Sequence, residues 1–186
     1  QPQHIDIAGI AKGDPLMTTK FSPSGVATRG TLNNCGTGKT PWGTLLTGEE
    51  NWVGYFFRAA NDIAARSAKA NTALARYGRS ATATAAAASR YGWETAGPAD
   101  KYARWNTSVT GVSTDGSDDY RHEVNGQGYM TEIDPYNPAS VVKKRTSLGR
   151  MAHESAAFGK PVAGKPLAVY MGDDSRNEYV YKFVSA

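Results

Sequence analysis

The chain has 186 residues, 40% of them hydrophobic and 20% charged, which is typical of a folded globular domain and excludes a disordered chain. The net charge of +4 is carried by basic residues scattered along the sequence, with one dense cluster at 143–145, and this pattern argues against nucleic-acid binding. No apolar run approaches the roughly 20 residues that a membrane-spanning helix needs. No export signal stands at the N-terminus, so we expect any such signal to have been removed or to lie outside this sequence.

The first informative stretch, 33–58, contains the only cysteine of the chain, and a single cysteine excludes an internal disulfide framework. Gly36 and Gly38 predict a tight loop around Cys35, because glycine reaches positive φ at little cost. A lone cysteine is most often an inert buried thiol. Its position in a polar loop instead favours a nucleophile or a metal ligand, both of which require the thiolate.

The same stretch predicts two strands, at 42–47 and 53–57, because their residues are mostly aromatic, β-branched or aliphatic. Glu49 and Glu50 lie at the turn between them. A turn at the end of a strand can direct both carboxylates into a shared pocket.

From residue 59 the composition changes to an alanine-rich run, which predicts a helix over 59–77 with Gly78 as its C-terminal stop. Low-complexity sequence follows. We therefore predict that 59–89 is a helical, low-complexity insertion in a β framework, without chemistry of its own.

Two further features precede the last third of the chain. Four aromatic residues flank a Gly-Pro turn and favour core packing over stacking against a substrate: Tyr91, Trp93, Tyr102 and Trp105. The acidic run 113–120 could offer oxygens to calcium, but it lacks the EF-hand spacing, so a solvated loop is the simpler interpretation.

The last third predicts successive short strands separated by turns. The alternation of Tyr179, Tyr181 and Phe183 with other residues has the period of two that a strand requires. Such a pattern predicts an all-β sandwich, barrel or propeller. The predicted strands are 128–133, 141–146, 150–155, 167–171 and 178–184.

Four turns carry the unusual side chains: Cys35; the pair Glu49 and Glu50; His153 with Glu154; and Asp173 and Asp174 followed by Arg176. In a meander sheet alternate turns emerge at one end, so we expect these groups to meet there. Clustered carboxylates repel one another unless cations neutralise them. Oxygen ligands suit calcium and a thiolate suits a softer metal, so the set predicts a mixed site of calcium with iron or zinc.

Four strings, read in order from about Thr31 to Val184, resemble the PhoX-type alkaline phosphatases: NNCGTGKTPWGTLLTGEEN, GYMTEIDPYNP, KRTSLGRMAHESA and VYMGDDSRNEYVYKFVS. The resemblance implies a six-bladed β-propeller, exported to the periplasm or secreted, with iron and calcium at one end of the central channel. It also implies that this chain, with the 59–89 insertion, covers part of one propeller domain over 1–186. The chain ends directly after a predicted strand, and we expect it to be a fragment of a longer protein.

Carried over by position, the resemblance implies that Cys35 is an iron ligand and that Glu154 is a carboxylate ligand in the same cluster. Glu49 or Glu50 would hold calcium or bridge metals, and Asp173 is a further candidate of the same kind. Our own addition is Arg176 as a phosphate contact, because its planar guanidinium matches phosphate oxygens. Gly48 departs from the pattern, since many relatives carry a second cysteine there.

The function implied is metal-dependent hydrolysis of phosphate monoesters, with catalysis by metal-ion electrostatics and without a serine nucleophile. In this interpretation His153 has a packing or hydrogen-bonding role more readily than that of a general acid. Two alternatives share the architecture: a non-catalytic, calcium-stabilised propeller that binds other molecules, and a calcium-propeller lactonase or esterase.

Overall fold

The computed structural model describes residues 4–186, and β-strands are the main regular element in that range. The strands are β1 (His4–Ala8), β2 (Ala27–Arg29), β3 (Asn34–Lys39), β4 (Leu45–Glu49), β5 (Met130–Ile133), β6 (Lys143–Arg145), β7 (His153–Phe158), β8 (Ala168–Asp173) and β9 (Val180–Val184). The α-helices are α1 (Ala68–Ala75) and α2 (Asp100–Ala103). No helix within 4–186 has the length and apolarity needed to cross a membrane.

The chain divides into two compact units. The first contains the described residues of Gln1–Lys12 together with Arg29–Trp52 and Gln127–Ala186. The second contains Gly13–Thr28 and Val53–Gly126.

The first unit is built from two sheets, in which the strand orders are β1-β6-β5-β4-β3 and β7-β8-β9. The pair β1 and β6 is parallel, and the pairs from β6 through β5 and β4 to β3 are antiparallel, as are the pairs of the smaller sheet. In the described part of the chain neither sheet closes on itself. Apolar side chains from both sheets form the core of the unit: Leu46, Met130, Ala156, Val169 and Met171.

The prediction of a β fold is confirmed in that the described chain is mostly β-sheet with few helices, and the five strands predicted in the last third are present with shifted ends. The largest shift is in β7, predicted at 150–155 and observed at His153–Phe158. The backbone of Met151 is instead hydrogen-bonded to the carbonyl of Gly128, outside the β7–β8 ladder.

Two predictions in the 33–58 stretch are wrong. Cys35 lies in strand β3 and not in a loop, and neither Gly36 nor Gly38 has a positive φ. The predicted strand at 53–57 is replaced by a 3₁₀ helix at Trp52–Tyr55. The aromatic residues that suggested a strand are instead buried or packed against other rings. Phe56 is fully buried, and Tyr55 packs against three other aromatic rings.

In the second unit the helix predicted at 59–77 shortens to α1, with a 3₁₀ turn at Ile63–Ala65 before it. Ser67 caps α1, because its hydroxyl accepts a hydrogen bond from the amide of Ala70 at 3.2 Å. Gly78 has a φ of +70° just past the helix, as predicted for a C-terminal stop.

The early part of the predicted helix is held by a buried ion network around Asp62. Arg58 donates to Asp62 Oδ1 at 2.5 Å, and Arg66 donates to Oδ2 at 2.8 Å. Burial alone would raise the pKa of Asp62, and the hydrogen bonds and charges of Arg66 and Arg58 outweigh it, so the pKa lies below its ordinary value. These side-chain contacts replace helical hydrogen bonds in this segment.

Candidate metal centre

Three of the predicted site residues meet in the first unit: Cys35, Glu50 and Glu154. Each offers one ligand atom, and the three atoms all lie within 4.8 Å of one another. The sulfur of Cys35 is 3.8 Å from Oε1 of Glu154. Cys35 is exposed and both glutamates are partly buried, so a cation can reach the group from solvent.

Strand pairing brings Cys35 close to Glu50. Strands β3 and β4 are antiparallel, and Asn34 pairs with Glu49, so the start of β3 lies beside the end of β4. The amide of Glu50 continues the contact by donating to the carbonyl of Asn33 at 3.2 Å. Residues that are 15 positions apart in sequence therefore share one end of the sheet.

Glycines bring Glu154 to the same place, because β7 packs directly against the backbone of β3 and β4. A Cβ atom at Gly36 would overlap the carbonyl oxygen of Glu154, and one at Gly38 would overlap that of Ala156. At Gly48 a Cβ atom would lie 2.6 Å from the carbonyl oxygen of His153. A side chain at any of the three positions would hold β7 away. The second cysteine that many relatives carry at the position of Gly48 would therefore have no room here.

The two carboxylates set the ionisation of the thiol. A hydrogen bond with Glu50 raises the pKa of Cys35 above its ordinary value, and desolvation and the negative charges of Glu50 and Glu154 raise it further. The thiol therefore keeps its proton at neutral pH when no cation is present. A bound cation would favour the thiolate, so metal binding at this group is expected to release a proton.

Glu49 is directed away from this group and into the interior of the first unit. Its side chain is fully buried and ion-paired with the fully buried Lys144 at 2.8 Å. Its oxygens also accept hydrogen bonds from the amides of Leu32, Gly128 and Tyr129, at 2.8 to 3.1 Å. With its lone pairs engaged in this way, Glu49 connects β4 to β6 and to the segment before β5.

Asp173 and Arg176 lie at the β8–β9 turn. Asp173 pairs with His153 at the end of β8, and its Oδ1 accepts from the amides of Ala152 at 3.2 Å and Ser175 at 3.1 Å. Arg176 is exposed in the turn. Neither residue belongs to the group of three within the described part of the chain.

His153 is fully buried beside Glu154, and its Nε2 is 3.1 Å from the carbonyl oxygen of Gly149. This supports the packing and hydrogen-bonding role expected from the sequence. Burial lowers the pKa of His153, although the Gly149 carbonyl and the charges of Glu49 and Asp173 act in the opposite direction. Burial likewise lowers the pKa of His122 in the second unit.

The lowered pKa values of His153 and His122 predict that the protein loses stability in mild acid. Their pKa values are lower in the folded state, so the unfolded chain binds protons more readily, and stability falls as the pH drops below the ordinary value of 6.5. The carboxylates with lowered pKa values affect stability only near and below their own ordinary pKa values, which are 3.8 for Asp62 and 4.5 for Glu132. Urea unfolding in the presence of a chelator should therefore give a lower midpoint at pH 5.5 than at pH 7.5. The variant His153→Gln should show a smaller decrease, and an equal decrease would contradict this origin.

The sequence did not reveal the buried partners that support the site. Lys144 belongs to the basic run 143–145, which gave no sign that its middle residue is fully buried. Gln127 accepts from Lys144 at 2.5 Å and is also fully buried. The burial of one of these lysines could have been predicted from the strand pattern. Successive residues of a strand point to opposite faces, so Lys143 and Lys144 could not both face solvent if one face of the sheet is packed.

Comparison with known proteins agrees with the resemblance. The family model described as "Alkaline phosphatase PhoX" matches residues 1–186. A solved structure, "Pseudomonas fluorescens PhoX in complex with vanadate, a transition state analogue", is 35% identical with a TM-score of 0.71. The similarity covers 98% of this chain and 27% of that chain. No curated protein matches. Because the family model matches the chain along its whole length, the chain belongs to the PhoX alkaline phosphatase family.

Proposed function

We propose that this chain contributes part of the metal centre of an enzyme that hydrolyses phosphate monoesters. The observation that carries the proposal is the convergence of Cys35, Glu50 and Glu154 within 4.8 Å in a member of the PhoX family. The Pseudomonas fluorescens relative supports it, because that protein is described in complex with vanadate as a transition-state analogue. Because the chain spans 27% of that relative, further residues of the site would come from sequence beyond these 186 residues.

The donor set fits a softer metal next to a hard one. Thiolate ligands suit iron or zinc, whereas carboxylates also suit calcium, and the family resemblance favours iron and calcium. Cys35 and Glu154 would hold the iron, and Glu50 would bridge towards calcium. When bound, such cations supply Lewis-acid stabilisation of the charge on the phosphoryl oxygens and lower the pKa of a bound water.

The chain's own residues would position this centre. The glycines of β3 and β4 fix Glu154 against Cys35, and the buried Glu49 fixes the end of β4 from which Glu50 projects. We keep Asp173 as a candidate for a more distant cation and Arg176 as a candidate contact to phosphate. Asp173 Oδ1 accepts a hydrogen bond from the amide of Ser175 within the turn, and Arg176 is exposed in the same turn.

We further propose that the two open sheets belong to a β-propeller, and that the protein is exported to the periplasm or secreted. The short antiparallel strands of both sheets and the family membership support these proposals.

The first test measures metal binding by the chain itself. Titration of the reduced chain with ferric iron should give a thiolate-to-iron absorption band, and Cys35→Ala should abolish this band. Glu154→Gln and Glu50→Gln should weaken iron or calcium binding by about 100-fold, since even residues outside the ligand shell contribute 10- to 100-fold. The control is Thr37→Ala, an exposed neighbour in β3 that should bind like the parent chain. Equal iron binding by Cys35→Ala would refute the proposed ligand.

The second test measures turnover of p-nitrophenyl phosphate at alkaline pH by the intact protein. Hydrolysis that is lost in Cys35→Ala supports the phosphatase. Calcium-dependent melting without turnover would instead favour the binding module, and turnover of lactones alone would favour the lactonase.

A further inference from the structure

A cavity in the described part of the first unit is lined by Leu46 and Phe158, which lie at the ends of β4 and β7 away from Glu50 and Glu154. Its volume is about 450 Å³, within the range of small-molecule sites. Apolar side chains from both sheets and from the segments next to their strands form most of its wall: Trp42, Leu46, Leu148, Phe158, Val169 and Phe183. The rings of Trp42 and Phe158 meet edge to face, with centroids 6.0 Å apart. The cavity therefore offers a site for an apolar, flat molecule.

One ion pair, between Glu132 and Arg145, supplies the charges of the wall. The oxygens of Glu132 are already engaged: they accept from Trp42 Nε1 at 2.8 Å, from the Thr44 hydroxyl at 2.5 Å and from Arg145 Nε. Arg145 uses only Nε in this contact. Its two terminal nitrogens have no protein partner in residues 4–186, and its side chain is 38% exposed.

From this asymmetry we infer that the cavity binds an amphipathic organic anion, a ligand with an aromatic body and a carboxylate, sulfonate or phosphate head. The body would lie on the apolar wall, and the head would accept hydrogen bonds from the unused guanidinium nitrogens of Arg145. A guanidinium presents parallel donors that match oxyanions. A cationic ligand would find no comparable partner, because the carboxylate of Glu132 already accepts hydrogen bonds from three donors.

The cavity is separate from the candidate metal centre. Phe158 and Glu154 occupy opposite ends of β7, four residues or about 13 Å apart at the usual rise of a strand. The inference therefore does not depend on the proposed function, and each can fail alone.

The test compares two fluorescent probes that share an aromatic body, 8-anilinonaphthalene-1-sulfonate and the uncharged N-phenyl-1-naphthylamine. We expect the 186-residue chain to bind the sulfonate with one-to-one stoichiometry and more tightly than the neutral probe. Arg145→Met should weaken sulfonate binding about tenfold, as expected for one lost charged hydrogen bond, and leave the neutral probe unchanged. The matched control is Lys143→Met, which removes an exposed charge from the same strand outside the cavity.

Circular dichroism would show whether Arg145→Met folds. If it does not, two further variants still test the inference. Arg145→Lys keeps the charge and should retain most of the sulfonate affinity. Trp42→Phe should remove most of the energy transfer from tryptophan to the bound probe. Equal affinity for the two probes, or equal losses in Arg145→Met and Lys143→Met, would overturn the inference. A dimer in sedimentation experiments that excludes both probes would also overturn it, since a second copy would then occupy the cavity.

Discussion

Alanine at Gly36 or Gly38 should destabilise the first unit by about 3 kcal/mol, at the upper end of the range for overpacked interiors. The reason is that the added Cβ atom would overlap a backbone carbonyl of β7, at Glu154 or at Ala156. A backbone oxygen in a paired strand cannot rotate away as a side chain can. The change should therefore move β7 off β3, and the measurement is the urea midpoint of the purified variants.

Gly172→Ala is the matched control for this prediction. Gly172 lies in β8 beside Glu154, has no positive φ, and an added Cβ atom would be 3.7 Å from its nearest neighbour, the Cβ of Glu154. That is ordinary van der Waals contact, so we expect a change within about 0.5 kcal/mol. If Gly36→Ala proved as stable as Gly172→Ala, close contact between β7 and β3 would not hold Glu154 in place. If the folded fraction of Gly36→Ala kept its iron band, the position of Glu154 relative to Cys35 would not depend on this contact.

The strands of the last third could be predicted because a strand with one packed face alternates its residue types. The run from Tyr179 to Val184 shows this alternation, and β9 (Val180–Val184) follows it closely. Strand β3 could not be predicted in the same way. Its glycines are normally a sign of a turn, whereas here they allow close packing between sheets, which only the position of β7 explains.

The grouping of Cys35, Glu50 and Glu154 was expected from the resemblance and from the meander sheet, in which alternate turns emerge at one end. The choice between Glu49 and Glu50 could not be made from the sequence. Neighbouring residues at the end of a strand point in opposite directions, and the sequence alone does not show which side faces the interior. The partner that decides it, Lys144, is 95 positions from Glu49 in the chain.

Lys144→Met should reduce the free energy of unfolding by about 3–5 kcal/mol, the usual result of removing one partner from a buried ion pair. Glu49 and Lys144 are both fully buried, and the loss of the ammonium would leave the carboxylate of Glu49 without its counter-charge. Glu49→Gln should have an effect of similar size, because the buried ammonium of Lys144 would then lose the carboxylate that balances its charge, and the neutral amide of Gln127 cannot replace it. The measurement is urea unfolding of each variant with metal removed.

The double variant Glu49→Gln with Lys144→Met distinguishes a charge effect from a loss of packing. With both charges removed, the cost should be well below the sum of the two single changes, because neither side chain then leaves an unpaired charge in the interior. Lys143→Met is the control on the same strand, and as an exposed change it should stay within about 0.5 kcal/mol. Additive single and double effects would show that Glu49 is held mainly by the amides of Leu32, Gly128 and Tyr129. In that case Lys144 would not be what directs Glu49 away from Cys35, Glu50 and Glu154.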